Sequence, residues 1–235
     1  KLQPPPAGGE APTVPVRREI KSFVRREGRI TPSQKEALDT LWPRYGLDAP
    51  ATGTVLDLTK LFGRSSAVVF EIGFGAGEAL LHRAAAAPER DFIGVEVHRP
   101  GVGRVLNRAE KLGLSNLRVA CHDAVVVLRD WLGPQSLDEL ILEFPDPWHK
   151  ARHHKRRIVQ PQFCELVASR LKPQGLFRLA TDWVPYAEHM QEVLNAAPDF
   201  AGGAIERPDS RPITRFEARG ERLGHVVTDL AYRRS

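Results

Sequence analysis

Apolar runs of strand length alternate with helix-period segments from residue 67 onward. That alternation predicts an α/β fold, a doubly wound and mostly parallel sheet with a closing antiparallel strand near the C-terminus. Two further observations support it. The first run opens directly into a glycine loop, Gly73-Phe74-Gly75-Ala76-Gly77, as the first strand of such sheets does. The last apolar run, 225–232 (HVVTDLAY), has no helix behind it and so returns against the sheet.

Taken in order, residues 1–16 are proline-rich with little to bury, and are read as a flexible tail. Residues 17–66 form an N-terminal extension. It begins with a basic segment (Arg17, Arg18, Lys21, Arg25, Arg26) around Ile20, Phe23 and Val24, suited to a solvated face or to nucleic acid. Thr31-Pro32-Ser33-Gln34 then reads as an N-cap, a first-turn proline and a capping-box Gln. The helix it starts should pass through Leu38, Leu41 and Trp42 and stop at Pro43. Residues 67–235 carry the α/β domain, with strands expected at 67–72, 91–97, 117–121, 137–144 and 175–181. Helices are expected after the glycine loop (Ala79, Leu80, Leu81 onward to Pro88), through Val102, Val105, Leu106 and Ala109, between the third and fourth strands, and at 162–171 and 184–197.

A content of 42% hydrophobic and 27% charged residues permits one large core, and a net charge of +5 suits a polyanionic partner. Cys121 and Cys164 form no C-x-x-C pair, which fits reduced thiols better than a disulfide framework. No apolar run approaches the ~20 residues of a membrane span. A cytoplasmic protein without membrane attachment is expected.

The chemistry-bearing residues fall at predicted strand ends, where open α/β sheets bind ligands. Glu71 ends the first strand. Gly73, Gly75 and Gly77 let backbone approach a ligand, but Glu78 stands where a dinucleotide fingerprint has Gly or Ala, and its charge opposes a pyrophosphate. The loop therefore fits a cationic, phosphate-free cofactor such as S-adenosylmethionine better than NAD. Glu96 ends the second strand, placed to accept from two ribose hydroxyls. Asp123 follows the third, either at the adenine edge or as the N-cap of the next helix.

After the fourth strand comes FPDPWHKARHHKRR, residues 144–157. Pro145 and Pro147 lock Asp146 into a turn. The run that follows, Lys150, Arg152, Lys155, Arg156 and Arg157, suits a phosphate backbone, with a salt slope of about −3 if four phosphates are engaged. Trp148 is either a packing anchor or a stacking surface for a base. His149, His153 and His154 lack a cysteine partner and sit among cations that oppose a metal, so no metal is expected.

These segments together resemble the bacterial tRNA (guanine-N7)-methyltransferases, which are class I, Rossmann-like enzymes dependent on S-adenosylmethionine. The resemblance rests on EIGFGAGE, GVEVH, CHDA, FPDPWHKARHHKRR, ATDW (180–183) and TRFE (214–217), and spans residues 17–232. Ala151 and Ala76 depart from a common Lys and Met. The resemblance implies that Glu71, Glu96, Asp123 and Asp146 contact S-adenosylmethionine, with Asp146 also in the active site. It implies RNA contacts at Lys150, Asp182, Thr214, Arg215, Phe216 and Glu217, and a tRNA interaction region at 151–156, which includes Arg152, His153, His154, Lys155 and Arg156. The implied substrate is the variable-loop guanosine of tRNA, conventionally position 46, and the family includes monomers and homodimers. The basic 17–26 segment is expected as a lid. Two competing readings are a nicotinamide-dependent oxidoreductase, opposed by Glu78, and a non-catalytic RNA-binding module, opposed by the intact acids.

Overall fold

A computed structural model describes residues 21–23 and 28–235. The expected tail at 1–16 and most of the basic 17–26 segment lie outside the described residues. The five predicted strands are β1 (Val68–Ile72), β2 (Asp91–Val95), β3 (Leu117–Ala120), β4 (Leu137–Glu143) and β5 (Leu171–Thr181). Two more follow, β6 (Phe200–Ile205) and the closing strand β7 (Thr228–Arg234). Their order is β3-β2-β1-β4-β5-β7-β6, with the first five parallel and β7 antiparallel to both β5 and β6.

Helices α1 (Pro32–Thr40), α2 (Trp42–Tyr45) and α3 (Leu58–Phe62) precede the sheet. The connections carry α4 (Glu78–Ala86), α5 (Arg99–Lys111), α6 (Ala124–Val126, continued by a wide turn to Trp131), α7 (Pro161–Arg170) and α8 (Val184–Ala196). A last helix, α9 (Arg215–Arg222), stands before β7.

The N-terminal capping box forms as its chemistry requires. Thr31 accepts from Gln34 N–H, and the Gln34 side chain accepts from Thr31 N–H at 2.9 Å. Pro43 does not stop the helix. It sits in the first turn of α2, where its missing N–H costs nothing. Gly103 lets α1 lie directly on α5, since a Cβ there would come within 2.7 Å of the Gln34 carbonyl.

Strand alternation sorts the core into two layers. Phe70, Ile93, Leu140 and Leu142 pack on one face with Phe163 and Tyr186 of α7 and α8. Val69, Phe92 and Ile141 pack on the other with Leu80 and Val105 of α4 and α5.

Sequence patterning missed β6, whose FAGGAI lacks the branched, alternating residues of a recognisable strand. Pairing with β7 makes it a strand. A Cβ on Gly202 would lie 2.0 Å from the Ala231 carbonyl, whereas one on Gly203 would meet nothing within 4 Å. Gly202→Ala should therefore destabilise the protein by about 1–3 kcal/mol, as overpacking does. Gly203→Ala should be close to neutral. Urea unfolding of the two variants checks the contrast.

Candidate active site

The strand register brings the site together. Ile72 is aligned with both Val95 and Leu142, Val95 with Ala120, and Glu143 with Ala180. The chain therefore leaves the sheet along one edge at Gly73, Glu96, Asp123, Asp146 and Asp182. A cleft of about 830 Å³ opens there, and its lining includes Gly73, Glu96, Asp123, Phe144, Asp146 and Lys150.

Gly73, Gly75 and Gly77 all adopt left-handed φ (72°, 54° and 75°), a region that side chains resist. The loop they shape turns Gly75 N–H onto Glu96 Oε2 at 2.9 Å. Glu96 Oε1 accepts from Val97 and His98 N–H at 2.7 and 3.0 Å. A carboxylate offers about four lone-pair positions. Backbone already holds three here, so Glu96 is a rigid acceptor with one position left open. Asp123 fills the N-cap role and also borders the cleft. Its Oδ1 caps α6 by accepting from Val125 N–H at 3.0 Å, and the side chain still lines the cleft, with Lys21 Nζ 3.2 Å from Oδ2.

The turn after β4 is strained and clamped. Phe144 and Trp148, which flank the Pro-Asp-Pro core, have φ of 51° and 48°. Such conformations cost of order 1–3 kcal/mol each and need support from their surroundings. Phe144 N–H donates to the Ala180 carbonyl at 2.8 Å, and its ring packs on Phe216 at 5.3 Å. Trp148 donates to the Ser22 carbonyl at 3.0 Å, with the Arg156 guanidinium 3.8 Å from its ring centroid. The outcome is an exposed Asp146 at the cleft, with no hydrogen-bond donor to its carboxylate among the described residues.

The basic run divides. Lys150, Arg152 and Lys155 are exposed, and His153 and His154 half-buried, His153 edge-on to Trp148. Arg157 does not face outward as its place in the run suggested. It is 4% exposed and donates to the carbonyls of Pro147 (3.0 Å) and Pro185 (3.4 Å), with its guanidinium over Tyr186. Arg156 also donates to the carbonyls of Lys21 and Phe23, fastening these residues at the cleft.

Two predicted acids turn away from the large cleft. Glu71 shares strand parity with Val69, so it points to the α4 layer and pairs with Arg83 at 2.7 Å. Arg83 also bridges Glu143, which has the parity of Ile141. Glu71 instead borders a second cavity of about 470 Å³, lined by the glycine loop, Arg104, Phe144, Thr214, Arg215 and Phe216. Glu217 is 2% exposed, and its carboxylate accepts from Arg211 at 2.7 Å rather than lining either cavity. Arg211 also binds Asp229 with two hydrogen bonds of 2.6 and 2.8 Å. Thr214 caps α9, Arg215 pairs with Glu78 at 3.2 Å, and Asp182 Oδ2 lies 2.9 Å from His225 Nδ1.

Sequence reasoning missed Arg83, Arg211 and His225 as parts of this assembly. A signal existed for Arg83, because a charge inside the apolar helix EALLHRAAA must find a partner once buried. Thr214-x-x-Glu217 likewise carried a capping signature that α9 uses.

Burial, with Glu143 beside it, pushes Glu71 up to about 7 despite Arg83. A carboxyl raised in the fold from its ordinary 4.5 favours folding when protonated. That contribution is complete below about pH 4.5 and lost as pH rises through about 7. Glu71→Gln removes the titration, so its melting temperature should fall less than that of the wild type between about pH 5 and about pH 8. Parallel calorimetric scans test this.

The cleft suits S-adenosylmethionine, since apolar Ile72, Val95, Leu142 and Ile158 back four acidic residues, Glu96, Asp123, Glu143 and Asp146, that favour a sulfonium cation. Residues 65–230 match a family described as "Putative methyltransferase". A tRNA (guanine-N(7)-)-methyltransferase of Stutzerimonas stutzeri (strain A1501) is 55% identical over 234 residues, 97% of each chain. One of Pseudomonas putida (strain W619) is 57% identical over 220 residues, covering 92% of this chain and 91% of that one. In fold the chain is similar to the aminoglycoside resistance methyltransferase NpmB1, with TM-score 0.54 and 16% identity over 77% of this chain and 95% of that one. It is also similar to a SAM-dependent methyltransferase from Aquifex aeolicus, with TM-score 0.51 and 16% identity over 76% and 88% of the two chains. With an acid-rimmed cleft at the switch point and relatives this similar over nearly its whole length, the chain belongs to the tRNA (guanine-N7)-methyltransferase family.

Proposed function

We infer that this enzyme methylates N7 of a guanosine in tRNA with S-adenosylmethionine as donor, and we place the target at variable-loop position 46. The observation that carries the reading is the single cleft holding Glu96, Asp123 and Asp146 with exposed Lys150 at its mouth. Acids for a cationic cofactor and a cation for phosphate thereby meet at one turn.

S-adenosylmethionine supplies an electrophilic methyl group on a sulfonium. Glu96 and Asp123 hold its adenosine end, Glu96 with the acceptor position that backbone leaves open. Guanine N7 carries an in-plane lone pair and no proton, so the protein needs no strong general base. Its residues contribute alignment and a field suited to moving positive charge. Asp146, rigid between two prolines and two left-handed residues, sets a negative charge at the reacting end of the cleft. The methylated base is cationic and its N1–H and N2–H groups want acceptors. Asp182 takes that edge, while Glu217, held by Arg211, positions α9 and reads no base. N7 lies on the Hoogsteen edge, which tertiary contacts in folded tRNA can occupy, so the guanosine is drawn out of its stack before reaction.

The assay combines labelled S-adenosylmethionine, unmodified tRNA transcript and borohydride/aniline cleavage. Scission at the variable loop supports the reading, and absence of label in any RNA refutes it. Asp146→Asn should lower turnover by roughly 10²–10³-fold, the scale seen when one electrostatic contact to a transition state is lost. Asp182→Ala should raise the KM for tRNA by roughly 10–100-fold, the worth of a hydrogen bond to a charged group, with cofactor affinity unchanged. Unchanged tRNA affinity and rate in that variant would remove the role given to Asp182.

A further inference from the structure

α9 is mounted by Glu217 and Gly220 and shows arginine outward; Glu221 is exposed too, about 100° round the helix from Arg222. Glu217 is buried on Arg211, and Gly220 is buried with its Cβ position 3.4 Å from Asp182 Oδ2. Arg215, Arg219 and Arg222 follow at spacings of four and three. At 100° per residue they share about 60° of helix arc. All three are exposed. Arg215 reaches Glu78, and Arg222 donates to the Ala218 carbonyl of its own helix, its one side-chain bond among the described residues. Arg219 has no ion-pair partner among the described residues.

The position of this row gives it meaning. Phe216 packs on Phe144, which lines the cleft and begins the catalytic turn. Past that turn lie the exposed Lys150, Arg152 and Lys155. The acid-lined cleft is thus flanked by cations from two separate elements. A single basic face would serve solubility equally well. A pair of cationic borders around an anionic centre matches a polyanion that must cross the centre without entering it along its length.

We propose that α9 is a second phosphate-binding arm for tRNA, with Arg219 and Arg222 extending the contact of Arg215 across the catalytic turn from the Lys150–Lys155 segment. The proposal rests on the tRNA reading above. The two arms fix the backbone on either side of the target nucleotide, which holds the nucleotide in place once it has left its stack. The competing account is that Arg219 and Arg222 only complement the C-terminal end of the helix dipole. That account requires no tRNA contact.

The test measures binding of unmodified tRNA transcript by the full chain across about 50 to 200 mM salt. Arg219→Ala/Arg222→Ala should make the slope of log K against log[salt] shallower by about 1.4–1.8, the loss of two phosphate contacts. The KM for tRNA should rise, and binding of S-adenosylmethionine should stay as in the wild type. Arg219→Lys/Arg222→Lys should keep most of the wild-type slope, because the contact is to charge. Arg233→Ala serves as the control, since exposed Arg233 sits opposite Leu176 in the middle of β5, about five residues back from the Thr181 end of that strand, and should not alter the slope. An alanine variant with the wild-type slope overturns the proposal alone, as does a lysine variant that loses as much as the alanine one. A wild-type protein that binds no tRNA overturns the tRNA reading and this inference with it.

Discussion

Glu71, next to last in β1, and Glu143, last in β4, lie on the same face, and a single guanidinium, Arg83, stands between them. Both site loops leave from these strands, the glycine loop after β1 and the Pro-Asp-Pro turn after β4. Two buried carboxylates on one cation leave the cluster short of positive charge, and burial raises both carboxyls. Breaking such a cluster from one side leaves an uncompensated charge in the core, which costs far more than the pair is worth intact. The relative position of the two loops is therefore held by a contact that tolerates little adjustment.

A second buried cation repeats the arrangement one layer outward. Arg211 joins Glu217 of α9 to Asp229 of β7, and its guanidinium lies 5.7 Å from the Phe144 ring centroid. Arg83 donates to the neighbouring Ser210 carbonyl, so the two networks meet in consecutive residues. Strain at Phe144 and Trp148 is sustained because ring packing, Arg157 and Arg156 over-determine the turn from both sides. Arginine serves here as a planar, permanently charged clamp that satisfies carbonyls as well as carboxylates.

Local chemistry was legible in the sequence wherever it needed few distant partners. The Thr31 capping box, the left-handed glycines and the proline lock on Asp146 are each dictated by residues within a few positions. The strand–helix alternation was legible because burial on both sheet faces demands continuous apolar runs. β6 was not, because small residues become a strand only through the backbone of β7. The directions of Glu71 and Glu217 were not read either, although the parity of Val69 and Glu71 held the answer for the first.

The sequence by itself determined the fold class, which residue types stand at the strand ends and the family resemblance that membership bears out. Those follow from periodicity, backbone restriction and residue type, all of which are short-range. Only the tertiary structure decided which charges face the cleft and which bind the core. Arg152 and Arg157 are indistinguishable as letters in one basic run, yet one is exposed and the other is buried with its guanidinium over Tyr186. Desolvation and pairing set that difference, and both depend on groups far away in the chain.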